Sequence, residues 1–129
     1  MLYPTSMLTC GQQKSRQKTQ QQPNSLYLSA NLGSTQVLPC ELKYPHNTTN
    51  YVLEWQKGDM KTLVTKMDGY RGTFNKEESL KGRLSLVKKT SLQISHIQQS
   101  DNGWYKCDIT YDSGTVNSTY IHLTVRSTY

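Results

Sequence analysis

Ser91-Leu92-Gln93-Ile94-Ser95-His96-Ile97-Gln98-Gln99-Ser100-Asp101-Asn102-Gly103-Trp104-Tyr105-Lys106-Cys107 is the stretch whose reading decides the fold. Leu92, Ile94 and Ile97 set one apolar face, and Gln98 to Asn102 forms a polar break. Tyr105, Cys107 and Ile109 then alternate with Trp104, Lys106 and Asp108. A period of two on both sides of a turn reads as strand, corner, strand. The corner closes in Asp-x-Gly-x-Tyr-x-Cys, with Asp101, Gly103, Tyr105 and Cys107 in those places.

A Tyr two residues before a Cys at such a corner resembles the tyrosine corner of immunoglobulin-type sandwiches. The resemblance demands an earlier Cys and, roughly a dozen residues after it, a Trp that packs on the disulfide. Cys40 and Trp55 stand in those places. The set resembles a variable-type or I-type domain, and the Cys40 to Cys107 separation of 67 positions is long enough for the two extra strands of the variable type. The implied fold is all-β, an immunoglobulin-like Greek-key sandwich of two antiparallel sheets, variable-type. A Cys40–Cys107 disulfide with Trp55, Tyr105 and Leu92 in the core is what the resemblance implies. It also implies an ion pair between Arg83, which opens Gly82-Arg83-Leu84-Ser85-Leu86, and Asp101 of the corner. Read as exposed, that pair is worth less than about 1 kcal/mol and serves to hold the corner in register.

The other strands follow from alternation. Leu26 and Leu28 alternate with Tyr27 and Ser29 in a first strand. In a second, Leu38, Cys40 and Leu42 point inward, which also turns Gln36 inward, and Pro39 removes one ladder donor. Tyr51 to Gln56 is a third strand with Leu53 and Trp55 inward and Val52, Glu54 and Gln56 outward. Thr62 to Lys66 reads as an edge strand, followed by an irregular connection from Asp68 to Lys81 with room for one short strand. Thr119 to Val125 is the last strand, with Ile121, Leu123 and Val125 inward.

With 129 residues the chain makes one domain of sufficient size to bury a core. Nine Tyr against one Phe suit a β protein with polar outer faces. Residues 1–23 are of another composition: Gly11 to Gln22 holds Lys14, Arg16, Lys18 and six Gln with nothing to bury, so this Gln/Lys-rich tail is expected to be disordered. The domain is expected over 24–126, with 127–129 starting a linker. Cys10 in the tail reads as an incidental free thiol, the alternative being an intermolecular disulfide. No stretch has the length of a transmembrane span or the form of a signal peptide, so export signal and anchor are expected to lie outside this chain, a fragment or an excised domain.

The net charge of +6 divides evenly between the tail and the rest, where twelve basic residues face nine acidic ones. Such a balance is an ordinary solvated surface. Lys57, Lys61, Lys66 and Arg71 would suit an anionic glycan or acidic partner, but Asp59 and Asp68 interrupt them. Nucleic acid is not expected, since no aromatic platform or recognition helix accompanies the charge. Lys57-Gly58-Asp59 resembles a short integrin-binding tripeptide, yet Gly and Asp are what a tight turn takes. No nucleophile elbow, Cys-x-x-Cys, phosphate loop or Ca²⁺ loop is present. His46, His96 and His122 are scattered rather than set at ligand spacing, so neither catalytic site, metal nor cofactor is expected.

The last strand lacks the Gly-x-Gly bulge of antigen-receptor variable domains. Ser91 to Ile94, Asp101 to Cys107 and Asn117 to Val125 together resemble the membrane-distal immunoglobulin domain of the turtle family of neural adhesion receptors, over residues 32–126. The resemblance implies an extracellular, non-enzymatic recognition domain on a plasma-membrane receptor with a protein partner, the same chain or another Ig-type ectodomain. Two alternatives stand beside it: a secreted or immune-type receptor domain that binds a soluble ligand through its loops, and a structural spacer. Asn47-Thr48-Thr49 and Asn117-Ser118-Thr119 are N-glycosylation acceptors if the chain is exported. Glycans on both would shield one tip of the sandwich, which leaves the outer face of the sheet carrying Trp55, Cys107 and the last strand. Its outward residues are Val52, Glu54, Gln56, Lys106, Asp108, Thr110, Tyr120 and His122. Trp104 is outward too, but beside the corner, and is expected to pack on loops there.

Overall fold

The computed structural model describes residues 25–43, 50–58, 61–68, 70–75 and 82–127. The tail with Cys10, the acceptor Asn47, His46 and Asp59 of the Lys-Gly-Asp tripeptide lie outside the described residues, as do residues 128 and 129. Among the described residues, nine strands run in order: β1 Ser25–Asn31, β2 Gln36–Leu38, β3 Tyr51–Lys57, β4 Lys61–Met67, β5 Thr73–Phe74, β6 Leu84–Val87, β7 Ser91–Ile94, β8 Gly103–Tyr111 and β9 Val116–Arg126. They form a six-stranded sheet, β1-β9-β8-β3-β4-β5, and a three-stranded sheet, β2-β7-β6.

Alternation explains the core between the sheets. Leu53, Trp55, Cys107, Ile109, Ile121 and Leu123 from the larger sheet meet Leu38, Leu92 and Ile94 from the smaller one, all fully buried. Burial of apolar side chains such as these contributes on the order of 2 kcal/mol each before entropy is counted. The indole of Trp55 buries one polar atom, and Nε1 donates to the Thr90 carbonyl across the layers at 2.9 Å. Cys40 and Cys107 are joined, with Cα atoms 6.4 Å apart. This bond ties the β2 side of one sheet to the centre of the other.

The structure corrects the expected pattern in four places. One strand pair is parallel: β1 runs alongside β9 with Leu26 opposite Ile121, so the larger sheet is not wholly antiparallel. The second strand stops at Leu38, because Pro39 has no N–H for the ladder. Beyond it, hydroxyls replace the ladder: Ser91 Oγ accepts from the Cys40 N–H at 3.0 Å and Thr90 Oγ1 donates to the Cys40 carbonyl. Strand β4 is not an edge, since β5 pairs with it at Val64–Phe74 and Thr65–Thr73. The last strand begins at Val116, so Asn117 sits in the ladder opposite Ile109 and not in the preceding turn.

Gly72 marks a close approach between the sheets. A Cβ there would lie 2.9 Å from Leu86 Cδ1 and 3.1 Å from Val64 Cγ2. Gly72→Ala is therefore expected to cost roughly 1–3 kcal/mol through overpacking, read as a lower urea midpoint at unchanged slope.

Candidate recognition face

The corner that supports the face is built from the sequence first read. Gln99–Asp101 makes a short 3₁₀ turn, and the Tyr105 hydroxyl donates back to the Asp101 carbonyl at 2.6 Å. Asp101 Oδ2 accepts from the Gln98 N–H at 2.7 Å and from Arg83 Nη1 at 2.8 Å, while Oδ1 accepts from Arg83 Nη2 at 2.9 Å. The expectation of an exposed pair is wrong: the side chains of Arg83 and Asp101 are only 10% and 1% exposed. Arg83, immediately before β6, lies under the corner, where Nη1 also donates to the carbonyls of Ser95 and His96. His96 has φ 49°, a left-handed conformation that a side chain tolerates only when neighbours hold it.

Burial pushes the Tyr105 hydroxyl pKa well above the usual tyrosine range, helped by the Asp101 charge and opposed by Arg83. A group whose folded pKa is raised stabilises the fold fully below its unfolded pKa and loses that contribution as pH rises. Alkaline unfolding is thus expected to set in above pH about 10, with tyrosinate absorbance from Tyr105 appearing together with loss of β-sheet circular dichroism. Tyrosinate from all tyrosines before unfolding would contradict this.

Above the corner, register sets the outer face of the larger sheet in rows. The first row is Tyr27, His122 and Trp104, directly opposite one another on β1, β9 and β8. The Trp104 ring meets His122 at 5.0 Å and Tyr27 at 5.5 Å, both edge to face, and Tyr27 lies 6.1 Å from His122. Tyr27 is nevertheless 71% exposed and Trp104 41%. Trp104 thus packs on the sheet face and not on loops, because the parallel pairing of β1 carries Tyr27 beside it. The second row is Tyr120, Lys106 and Gln56. Lys106 Nζ stands 5.7 Å from the Tyr120 ring and 3.4 Å from Asp108 Oδ2.

Asp108 and Glu54 form the third row, with Thr65 beyond them. Ser118 donates to Asp108 at 2.6 Å, and Thr62 donates to Glu54 at 2.8 Å. The fourth row is Thr110, Val52 and Met67, all exposed. Gln56 departs from expectation: it faces outward yet is only 8% exposed. A bulge between Trp55 and Gln56 draws it in, its Nε2 donates to Glu54, and its Oε1 has no hydrogen-bond partner among the described residues. The face thus joins an aromatic end, a charged middle and an aliphatic end.

Sequence reading missed Tyr27 and Met67 on this face and misplaced Trp104. The parity of Trp104 against Tyr105 was a usable signal. For Tyr27 none existed, since its neighbours depend on which strand β1 joins. Lys57, the last residue of β3, lies opposite Lys61 at one end of β4, and Lys66 lies near the other, so the expected basic group is split. Among the described residues, no group of three His, Cys, Asp or Glu could hold a metal, and no helix is long and apolar enough to cross a membrane.

Residues 21–126 match the family model of the immunoglobulin V-set domain. Protein turtle of Drosophila melanogaster is 28% identical over 120 residues, covering 81% of this chain and 8% of that protein. Protein turtle homolog B of Homo sapiens is 30% identical over 108 residues, covering 78% of this chain and 8% of that protein. The chain therefore spans less than a tenth of the length of these relatives. The first Ig-like domain of human CD48 antigen superposes with a TM-score of 0.70 at 23% identity, over 87% of this chain and 90% of that one. With the disulfide, the buried indole and the tyrosine corner in place, this chain belongs to the immunoglobulin V-set family, a family of non-enzymatic domains.

Proposed function

We propose that this is the extracellular recognition domain of a cell-surface adhesion receptor, binding a second copy or another Ig-type ectodomain through the outer face of the six-stranded sheet. The observation that carries the reading is the cluster of Tyr27, His122 and Trp104, held ring against ring, with Tyr27 and Trp104 exposed and His122 half-buried. Aromatic rings that are already ordered bury large areas on docking at little entropic cost, and Tyr and Trp are enriched in such contacts. Lys106, Asp108, Glu54, Thr110 and Tyr120 supply the polar surround, and Val52 extends the contact at the far end. Gln56 contributes its buried Oε1 from beneath and not a protruding side chain.

Trans aggregation of beads coated with the secreted domain tests the proposal. Trp104→Ala, and separately Lys106→Ala with Tyr120→Ala, are expected to abolish aggregation while leaving the unfolding midpoint nearly unchanged, since these side chains lie outside the core. Aggregation that survives both variants would remove the face from consideration.

Export through the secretory pathway also makes Asn47 and Asn117 carriers of N-glycans. Treatment of protein secreted from animal cells with an N-glycosidase is expected to lower its mass by two glycans, and by one in either Asn→Gln variant. An unchanged mass in the parent protein rejects both acceptors. A glycan on Asn117 would leave from the second residue of β9, opposite Ile109, at the end of the sandwich away from Trp104.

A further inference from the structure

We propose that the groove between β5 and β6, the outermost described strands of the two sheets on this side, is a binding site for a sulfated polysaccharide. Strand β5 ends the larger sheet and β6 ends the smaller one. Between them lies a groove of about 530 Å³ lined by Lys66, Arg71 and Lys89, with the Tyr70 ring at its side and Phe74 and Leu86 in its floor. Among the described residues, no carboxylate is in its lining. Arg71, Lys88 and Lys89 are exposed and make no ion pair among the described residues.

The cations are drawn together across the layers. Lys66 Nζ donates to the Lys89 carbonyl at 3.0 Å, a bond that positions the ammonium without neutralising it. Lys88 and Lys89 are consecutive in the turn joining β6 to β7, with φ 51° and 73°. Gly or Asn takes that left-handed conformation at lower cost, so two lysines there hold charge at the expense of backbone comfort. Strain of this kind, beside clustered cations and a groove, is what a binding site accumulates.

The groove's chemistry selects the ligand. Ammonium groups are point charges suited to sulfate, and the 70% exposed Tyr70 ring offers a platform for the C–H face of a sugar. The half-buried apolar floor meets the same face. A domain stabilised by a disulfide works in an oxidising compartment, where the abundant polyanions are glycans and not nucleic acids.

The test immobilises heparin and measures binding of the full-length, disulfide-bonded chain at low and near-physiological salt. Binding is expected, weakening as salt screens the contacts. Lys88→Asn with Lys89→Gly relieves the turn while removing two charges. It is expected to bind roughly tenfold more weakly with an unfolding temperature equal to or above that of the parent. Lys61→Gln with Arg126→Gln removes the same charge elsewhere and is expected to change affinity by less than about twofold. Equal loss in the two double variants would mean net charge alone binds, and no binding by the parent chain would likewise overturn the site. Competition by polyglutamate as effective as that by heparin would assign the groove to acidic peptides and also reject the proposal. Bead aggregation through the sheet face is not expected to respond to any of these substitutions.

Discussion

Cys107→Ser is expected to lower the unfolding free energy by about 4 kcal/mol. The disulfide closes a loop with a sequence separation of 67, and the chain-entropy account puts such a closure at about that size. The stability of a domain of this size is typically about 5–15 kcal/mol, so the variant should be partly unfolded at body temperature and poorly secreted. Because Cys107 is fully buried and lies opposite Trp55 in the ladder, the serine hydroxyl also enters an apolar site without a designed partner. Urea unfolding followed by Trp fluorescence measures the loss. Reduction of the parent protein should reproduce most of it, and a reduced parent with an unchanged midpoint would separate stability from the covalent tie.

Arg83→Leu is expected to cost about 3–5 kcal/mol, several times what an exposed ion pair is worth. The difference lies in burial: the Asp101 carboxylate, 1% exposed, keeps only the Gln98 N–H when the guanidinium is gone. The carbonyls of Ser95 and His96 lose a donor in the same step, and His96 loses part of what holds its left-handed backbone. Asp101→Leu should be similarly damaging, since it strands Arg83 and removes the cap of the corner. With both replaced, no lone charge remains, so the double variant should be less destabilised than the two single losses added together. Additive losses in that cycle would show that the two side chains act separately. Salt should shift the parent's midpoint little through this pair, because burial shields it from screening.

Much of this was legible in the sequence because pleat parity is local. A strand's alternate residues face opposite sides whatever it pairs with, so Leu53 and Trp55 were separable from Val52 and Glu54, and Ile121 and Leu123 from Tyr120 and His122. The corner was legible for the same reason: Tyr105 reaches the Asp101 carbonyl only four residues back. What lies over or beside a residue is a different kind of quantity, set by strands far apart in the chain. Parallel pairing of β1 on β9 brings Tyr27 to His122 and Trp104. A bulge in the β3–β4 pair buries Gln56. The smaller sheet carries Arg83 beneath the corner and Lys89 to Lys66, turning a surface ion pair into a buried one and scattered cations into one groove. Periodicity therefore determined which way each side chain points, and only the packing of one layer on the other decided how much water each still meets.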